Sequence, residues 1–347
     1  MSFLRDAWYV AAWSEEVGDK ASYQKIIGEH VVLFRDESGE IIALGDTCPH
    51  RFAPLHMGKV VGSHIQCPYH GLRFDREGRC AHNPFDPSVK PSAAKVPAYP
   101  TAERDRIVWI WMGDADKADE NQIPSYDWIG DTEGYSFTAF SQMTQAIDYE
   151  LVLDNLMDLS HGQFLHPTTL GNEAFAAGTT ETTATERQVQ FNRWNPGGTA
   201  PKLFVVSGVA KEGDLVDFWN DVRWDAPGSY YLQVGITPVG QSRENGRYMH
   251  SAHLLTPIDN QQLVYRYVLA RNFAMDNQEI TKGIEDLVRY AFTQEDEPVL
   301  RAVQERMAGR DFWDLRPVVL KTDKAAVLVR RTLERLINEE CKAPEYM

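Results

Sequence analysis

Two short stretches offer metal-ligand chemistry, Cys48-Pro-His50 and Cys67-Pro-Tyr-His70-Gly, each with one thiol and one imidazole. One residue separates the ligands of the first pair, two separate those of the second, and sixteen residues, 51–66, lie between the pairs. Ligands that flank a tight turn converge on one point with little chain to order. Two thiolates and two imidazoles suit a tetrahedral zinc ion, or a [2Fe-2S] cluster in which two histidines replace two cysteines on one iron. The spacing by itself leaves both open.

A second set lies about ninety residues on. The run from Asp148 to His161, with Asp154, Asn155 and Asp158 inside it, has no helix breaker before Gly162 and predicts a helix ending near His161. At 100° per residue Asp154, Asp158 and His161 fall within about 60° of one another, on the face that carries Leu151. Polar groups on an apolar stripe are expensive unless paired or metal-bound. On an unbroken helix His166 would point about 140° away from His161, but Pro167 disfavours helical geometry at His166 and predicts a turn that lets both imidazoles face one point. Two imidazoles and one carboxylate make the facial triad of non-heme Fe(II) oxygenases, with positions left open for oxygen. The candidate carboxylate is Asp296 in Thr293-Gln-Glu-Asp-Glu-Pro298, where a helical pattern meets a proline and a kink could aim a side chain inward. The plainer reading of Glu295, Asp296 and Glu297 is a solvated face.

The elements that must carry these residues divide in two. Residues 27–46 read as a hairpin around Asp36-Glu-Ser-Gly39, and Arg106-Ile-Val-Trp-Ile-Trp-Met is rich in β-formers, so the chain up to about residue 115 reads as a small all-β unit with its ligands on loops. Residues 116–130 lose periodicity and read as a connection, and 131–347 as a second domain mixing strands and helices. Strands are expected at Lys202–Ser207, Tyr230–Ile236 and Leu263–Leu269, with Asn195-Pro-Gly-Gly as a turn. Two helices close the chain: Ile280, Ile284, Leu287, Val288 and Ala291 keep one 3.6-residue period, and Val329, Leu333, Leu336 and Ile337 another, after a cap at Thr322 or Asp323.

Composition narrows the class. At 347 residues two domains are the default. Four cysteines are too few for a disulfide scaffold, leaving Cys80 and Cys341 as inert thiols, and a net charge of -15 argues against nucleic-acid binding. No stretch approaches the roughly 20 unbroken apolar residues of a membrane span, and the first residues lack the pattern of a signal peptide, so a soluble cytoplasmic protein is expected.

Taken together, Cys48-Pro-His50-Arg-Phe-Ala-Pro-Leu, Cys67-Pro-Tyr-His70-Gly-Leu and Asp154-Asn155-Leu-Met-Asp158-Leu-Ser-His161 with His166-Pro resemble the cluster and iron motifs of Rieske non-heme iron oxygenases. Ala7-Trp-Tyr-Val-Ala-Ala and Ala270-Arg-Asn-Phe are similar to the branch that contains vanillate and dicamba O-demethylases and toluenesulfonate methyl-monooxygenase. The resemblance implies an α+β chain: an N-terminal all-β Rieske [2Fe-2S] domain and a C-terminal catalytic domain with an antiparallel sheet flanked by helices. It implies Cys48 and Cys67 on one iron of the cluster, His50 and His70 on the other, and His161, His166 and Asp296 on Fe(II). It further implies a head-to-tail homotrimer in which Asp158 bridges from His161 to a cluster histidine of the neighbouring subunit, with Asn155 near the iron. Electrons would come from NAD(P)H through a ferredoxin or reductase partner, with O2 as co-substrate.

The expected reaction is O-demethylation of a methoxylated aromatic acid with release of formaldehyde; the alternative is hydroxylation of a ring methyl or another carbon. A pure electron-transfer protein would have no use for the second motif. By the same resemblance His253, in His250-Ser-Ala-His253, would hold the substrate carboxylate; the segment from Gly171 to Thr180 is expected, from its place after the iron motif, to cover the pocket. Residues 50–82 hold Arg51, Lys59, Arg73, Arg76 and Arg79 against Asp75 and Glu77, five positive and two negative charges, a patch that could dock an acidic redox partner.

Overall fold

The computed structural model describes residues 3–130 and 133–342. The chain divides into a unit of residues 3–125 with 256–259 and a unit of residues 126–130, 133–255 and 260–342.

The first unit is built from short strands: β1 (Trp8–Trp13), β2 (Ser22–Ile26), β3 (Glu29–Arg35), β4 (Ile41–Gly45), β5 (Lys59–Val61), β6 (His64–Gln66), β7 (Arg73–Phe74), β8 (Cys80–His82), β9 (Ala98–Tyr99), β10 (Thr101–Arg104) and β11 (Ile107–Trp111). They form three sheets, in the orders β1-β11-β10, β2-β3-β4-β9 and β5-β6-β7-β8. The expected hairpin is β3–β4: the Asp36 carboxylate accepts from the Ser38 and Glu40 amides, and Gly39 takes the left-handed φ of 86° that the turn requires. Val31, Val32, Leu33 and Phe34 are all buried, because both faces of β3 are covered. One ligand loop leaves β4; the other joins β6 to β7.

In the second unit β12 (Ser136–Phe137), β13 (Ser141–Gln145), β14 (Thr179–Ala184), β15 (Gln188–Thr199), β16 (Leu215–Asp225), β17 (Ser229–Pro238), β18 (Arg247–Asp259) and β19 (Gln262–Arg271) form one sheet in the order β12-β19-β18-β17-β16-β15-β14, with β13 also on β19. The helices are α1 (Tyr149–Met157), α2 (Gly162–Leu165), α3 (Lys202–Val206), α4 (Gln278–Tyr290), α5 (Glu297–Met307) and α6 (Lys324–Lys342), with a π-helical turn over Ala291–Asp296. No described helix is long and apolar enough to cross a membrane.

Three local expectations are corrected. Lys202–Ser207 is helical rather than extended: Pro201 precedes the first turn, Gly208 ends it at φ 73°, and the helix buries the adjacent Leu203 and Phe204 together, which a strand cannot do on one face. Asn195-Pro-Gly-Gly is a bulge inside β15 rather than a turn between strands; Pro196 and Gly197 both stand opposite Asp217, whose carboxylate accepts from the Gly197 amide. The helix expected to reach His161 stops at Met157. Asp158 leaves helical geometry at φ -117° and ψ 90°, and its carboxylate accepts from the Ser160 amide, so capping a new turn over Leu159–His161 outcompetes continuation.

Asp154, a polar group on the apolar face of α1, finds its partner in α6. The Asp154 carboxylate binds the Arg330 guanidinium of α6 at 2.7–2.9 Å, and Glu150 accepts from the same group at 2.6 Å. Burial raises both carboxyls, Glu150 to about 7, while Arg330 pulls them back. Tyr230 of β17 donates to the Leu153 carbonyl at 2.8 Å, so α1 is tied to the sheet as well as to α6. Arg330→Met leaves two buried carboxylates without their cation and is expected to cost about 3–5 kcal/mol, read as a lower denaturation midpoint in urea; an unchanged midpoint overturns this account.

Candidate metal centres and substrate cavity

The two ligand loops of the first unit share one geometry. The amide four residues after each cysteine returns to its carbonyl, Phe52 to Cys48 at 2.8 Å and Gly71 to Cys67 at 3.2 Å, and both closing residues have left-handed φ, 59° and 76°. Cys48 and Cys67 point into the core among Phe34, Leu55, Ile65 and Phe74, whereas His50 is exposed and His70 half-buried. The His50 and His70 rings lie 4.5 Å apart, edge to face. Nδ1 of His70 is buried with no hydrogen-bond partner, the mark of a nitrogen awaiting a metal. Burial pushes the Cys48 thiol up to about 11, and the neighbouring Cys67 thiol adds to it, so thiolates here need a cation. A thiol pair inside and an imidazole pair outside fit two irons with different ligands. The first loop is held by Asp46, 3% exposed, whose carboxylate accepts from the His56 amide at 2.7 Å and meets His56 Nδ1 at 2.5 Å.

The second site forms where the break at Asp158 meets the π-helical turn. Among the described residues, His161, His166 and Asp296 offer one ligand atom each, all within 4.8 Å of one another. His161 Nε2 lies 3.7 Å and His166 Nε2 3.2 Å from Asp296 Oδ1. Each ring is oriented through its other nitrogen: His161 Nδ1 donates to the Asp158 carbonyl at 2.6 Å, and His166 Nδ1 to Glu295 Oε2 at 2.7 Å. Glu295 also accepts from Thr169 Oγ1 at 2.7 Å. Burial lowers His161; His166 is also pulled down by burial, but the Asp296 and Glu295 carboxylates more than offset it and leave it raised. The acids near Pro298 are therefore no solvated face, since Asp296 is buried and Glu295 turned inward.

Asn155 Nδ2 donates to Asp296 Oδ1 at 3.1 Å. Asp158 meets His161 through its main-chain carbonyl, not its carboxylate as expected; the carboxylate caps the turn and is felt by the buried Arg193 guanidinium.

A cavity of about 730 Å3, counting its mouth, opens on His161, His166 and Asp296. Leu156 and Leu159 flank the triad, Leu232, Val234, Met249 and Leu269 rise from β17, β18 and β19, and Gly171 and Phe175 of the expected covering segment close one side. The alternation of β18 sends Met249, Ser251 and His253 to this face and His250 to the other. His253 therefore lines the cavity, but both its nitrogens are engaged, Nδ1 with Tyr265 Oη and Nε2 with Ser251 Oγ, each at 2.8 Å.

Residues 7–100 match the Rieske [2Fe-2S] domain, and residues 146–339 match the vanillate O-demethylase oxygenase C-terminal domain. This chain belongs to the Rieske non-heme iron oxygenases. The oxygenase is 39% identical to the chloroacetanilide N-alkylformylase oxygenase component of Rhizorhabdus wittichii, over 97% of either chain. It is 35% identical to the dicamba O-demethylase oxygenase component of Stenotrophomonas maltophilia, over 97% of this chain and 98% of that one. A solved structure of dicamba monooxygenase with non-heme iron and dicamba superposes at a TM-score of 0.85 and 34% identity, covering 98% of this chain and 99% of that one. The Rieske oxygenase is an oxidoreductase, and its His161, His166 and Asp296 group could bind such an iron.

Two of the five bases in the basic patch are paired within the unit: Arg76 with Asp36 and Glu40, two acids outside residues 50–82, and Arg79 with Asp75 and Glu77. Sequence reasoning missed the supports, Asp46, Glu295, Thr169 and Arg330; for Glu295 the available signal was its adjacency to Asp296. Glu295→Gln is expected to keep the fold and weaken iron binding at this site by about 10–100-fold, measured as iron per chain after chelator challenge, with the cluster spectrum as internal reference; full iron retention overturns the role.

Proposed function

We propose that this oxygenase component performs O2-dependent O-demethylation of a methoxylated aromatic compound, releasing formaldehyde, in the cytoplasm and with a ferredoxin and reductase that bring electrons from NAD(P)H. The observation that carries this reading is the meeting, at the same residues, of a three-ligand group that leaves metal positions open and a cavity whose wall is mostly apolar. The names of the dicamba and vanillate relatives support it.

In this reading Cys48 and Cys67 hold one iron of the cluster, His50 and His70 the other, and His161, His166 and Asp296 hold the catalytic iron. When bound, the cluster supplies single electrons and the iron a place to activate oxygen. The rest is the work of the chain. Asn155 steadies Asp296; the Asp158 carbonyl and Glu295 fix the tautomers of His161 and His166, leaving each Nε2 free to ligate. The apolar wall excludes water and presents the substrate methyl group. Hydroxylation of a methoxy carbon gives a hemiacetal, which collapses to a phenol and formaldehyde; one oxygen atom of O2 enters the product, and the other leaves as water with two electrons and two protons. In the proposed homotrimer the Asp158 carboxylate reaches the partner subunit's His70.

A second reading, removal of a carbon substituent from nitrogen, is favoured by the 39% identical chloroacetanilide relative, and hydroxylation of a ring methyl by a toluene-4-sulfonate monooxygenase subunit, 32% identical. Reconstitution with ferredoxin, reductase and NADH separates these outcomes. Formaldehyde in step with oxygen consumption on methoxylated aromatics is expected; hydroxymethyl products without formaldehyde overturn demethylation. Asp158→Asn retains an oxygen for the Ser160 amide, so both metal centres should fill while turnover falls about 100-fold or more; unchanged turnover with full iron content overturns the bridging role.

A further inference from the structure

Among the described residues, the polar groups on the cavity wall apart from the triad are Asn155, Ser251 and His253, and no lysine or arginine lines it. The Asn155 amide is committed to Asp296. At the metal-binding end Asp296 and Glu295 bring two carboxylates, which match the two charges of a divalent ion. A substrate anion would meet no uncompensated positive charge in this cavity.

The hydrogen bonds at β18 form a continuous chain, Tyr265 Oη with His253 Nδ1 and His253 Nε2 with Ser251 Oγ. Tyr265 is buried and burial raises its phenol, so the hydroxyl keeps its proton, and we take it as the donor to His253 Nδ1. His253 Nε2–H then donates to Ser251 Oγ. Burial also pushes the His253 imidazole down to about 3, which keeps it neutral. With both nitrogens used, His253 has no N–H left for a carboxylate. The Ser251 hydroxyl proton is left to point onward, and its protein acceptor, the Leu232 carbonyl, lies 3.4 Å away, at the long end of hydrogen bonding.

We propose that Ser251 is the substrate-orienting donor of this cavity, and that the site takes an uncharged aromatic ether or amide, held by one acceptor oxygen on Ser251, in preference to an aromatic carboxylate. The inference rests on the proposed reading only in taking this cavity as the substrate site. It replaces the carboxylate role expected of His253 with a relay: Tyr265 sets the tautomer of His253, and His253 turns the Ser251 proton toward the ligand.

The test uses a matched pair of probes, ortho-methoxybenzamide and ortho-methoxybenzoate, nearly equal in shape and different in charge, titrated calorimetrically into the iron-loaded holoprotein near neutral pH. The amide is expected to bind about tenfold more tightly or better, because an anion would be buried without a cation. Ser251→Ala should weaken amide binding about 5–20-fold, raising KM more than it lowers kcat; Ser251→Thr, which keeps the hydroxyl, should restore most of it. Benzoate binding as tight as the amide, or binding of neither probe at millimolar concentration, overturns the proposed substrate class. Wild-type affinity of Ser251→Ala for the amide, with the cluster spectrum intact, overturns the donor role. Selective amide binding without formaldehyde release defeats the demethylation reading and leaves this one standing.

Discussion

The catalytic unit depends on one competition at Asp158, between continuing a helix and capping a new turn. The carboxylate that accepts from the Ser160 amide stops α1 after Met157, and the freed carbonyl of the same residue receives the Nδ1 proton of His161. One residue thus ends the helix, turns the next histidine and selects its tautomer. Had α1 run on, His161 and His166 would have pointed about 140° apart. The broken geometry instead puts their rings 5.2 Å apart, edge to face, against Asp296. The π-helical turn before Pro298 does the corresponding work on the other side, turning Glu295 and Asp296 inward so that each takes one nitrogen of His166. Pro298 cannot donate back into that turn, which makes the departure from α-helical bonding cheap there.

A site assembled from a broken helix needs outside support. Arg330 supplies it from α6, binding Asp154 and Glu150 one turn behind the site residues of α1, while Tyr230 fixes the Leu153 carbonyl. Buried ion pairs of this kind contribute little net stability, but removing one partner is costly, so they define a position more than they strengthen the fold. Asp46 acts similarly on the first cluster loop, gripping both the amide and the ring of His56 across the segment that carries Cys48 and His50. In that unit the cysteines belong to the hydrophobic core and the histidines to the surface. A cluster held there would have its thiol side shielded by the core and its imidazole side nearer solvent.

Much of this was legible in the residues. Cys48, His50, Cys67 and His70 stand in adjacent pairs, so their loops are local, and local spacing survives into three dimensions. The hairpin at 27–46, the strands at 230–236 and 263–269 and the two closing helices follow from periodicity, which reports the face an element buries. His166 next to Pro167 carried its own instruction, because proline restricts the residue before it, and the observed φ of -118° and ψ of 37° lie outside the helix. Where propensity and caps disagreed, the caps decided: Val205 and Val206 suggested a strand, and Pro201 with Gly208 made a helix.

The sequence by itself thus determined the ligand types, their order along the chain and the division into a β-rich cluster domain and a mixed catalytic one. Asp296 was named from the sequence, but tertiary structure alone decided what the other carboxylates near the site do. Asp154, Asp158, Glu295 and Asp296 are all acids near the motifs, and only packing shows that Asp154 belongs to Arg330, that Asp158 offers its carbonyl to His161 and that Glu295 orients His166. It also decided the character of the cavity, since the lining comes from six separate stretches of chain, and the engagement of His253 depends on Tyr265 from the neighbouring strand. The reason is physical: a ligand pair within a turn is set by local geometry, whereas the partner of a buried charge is whichever group the whole fold brings within hydrogen-bonding reach.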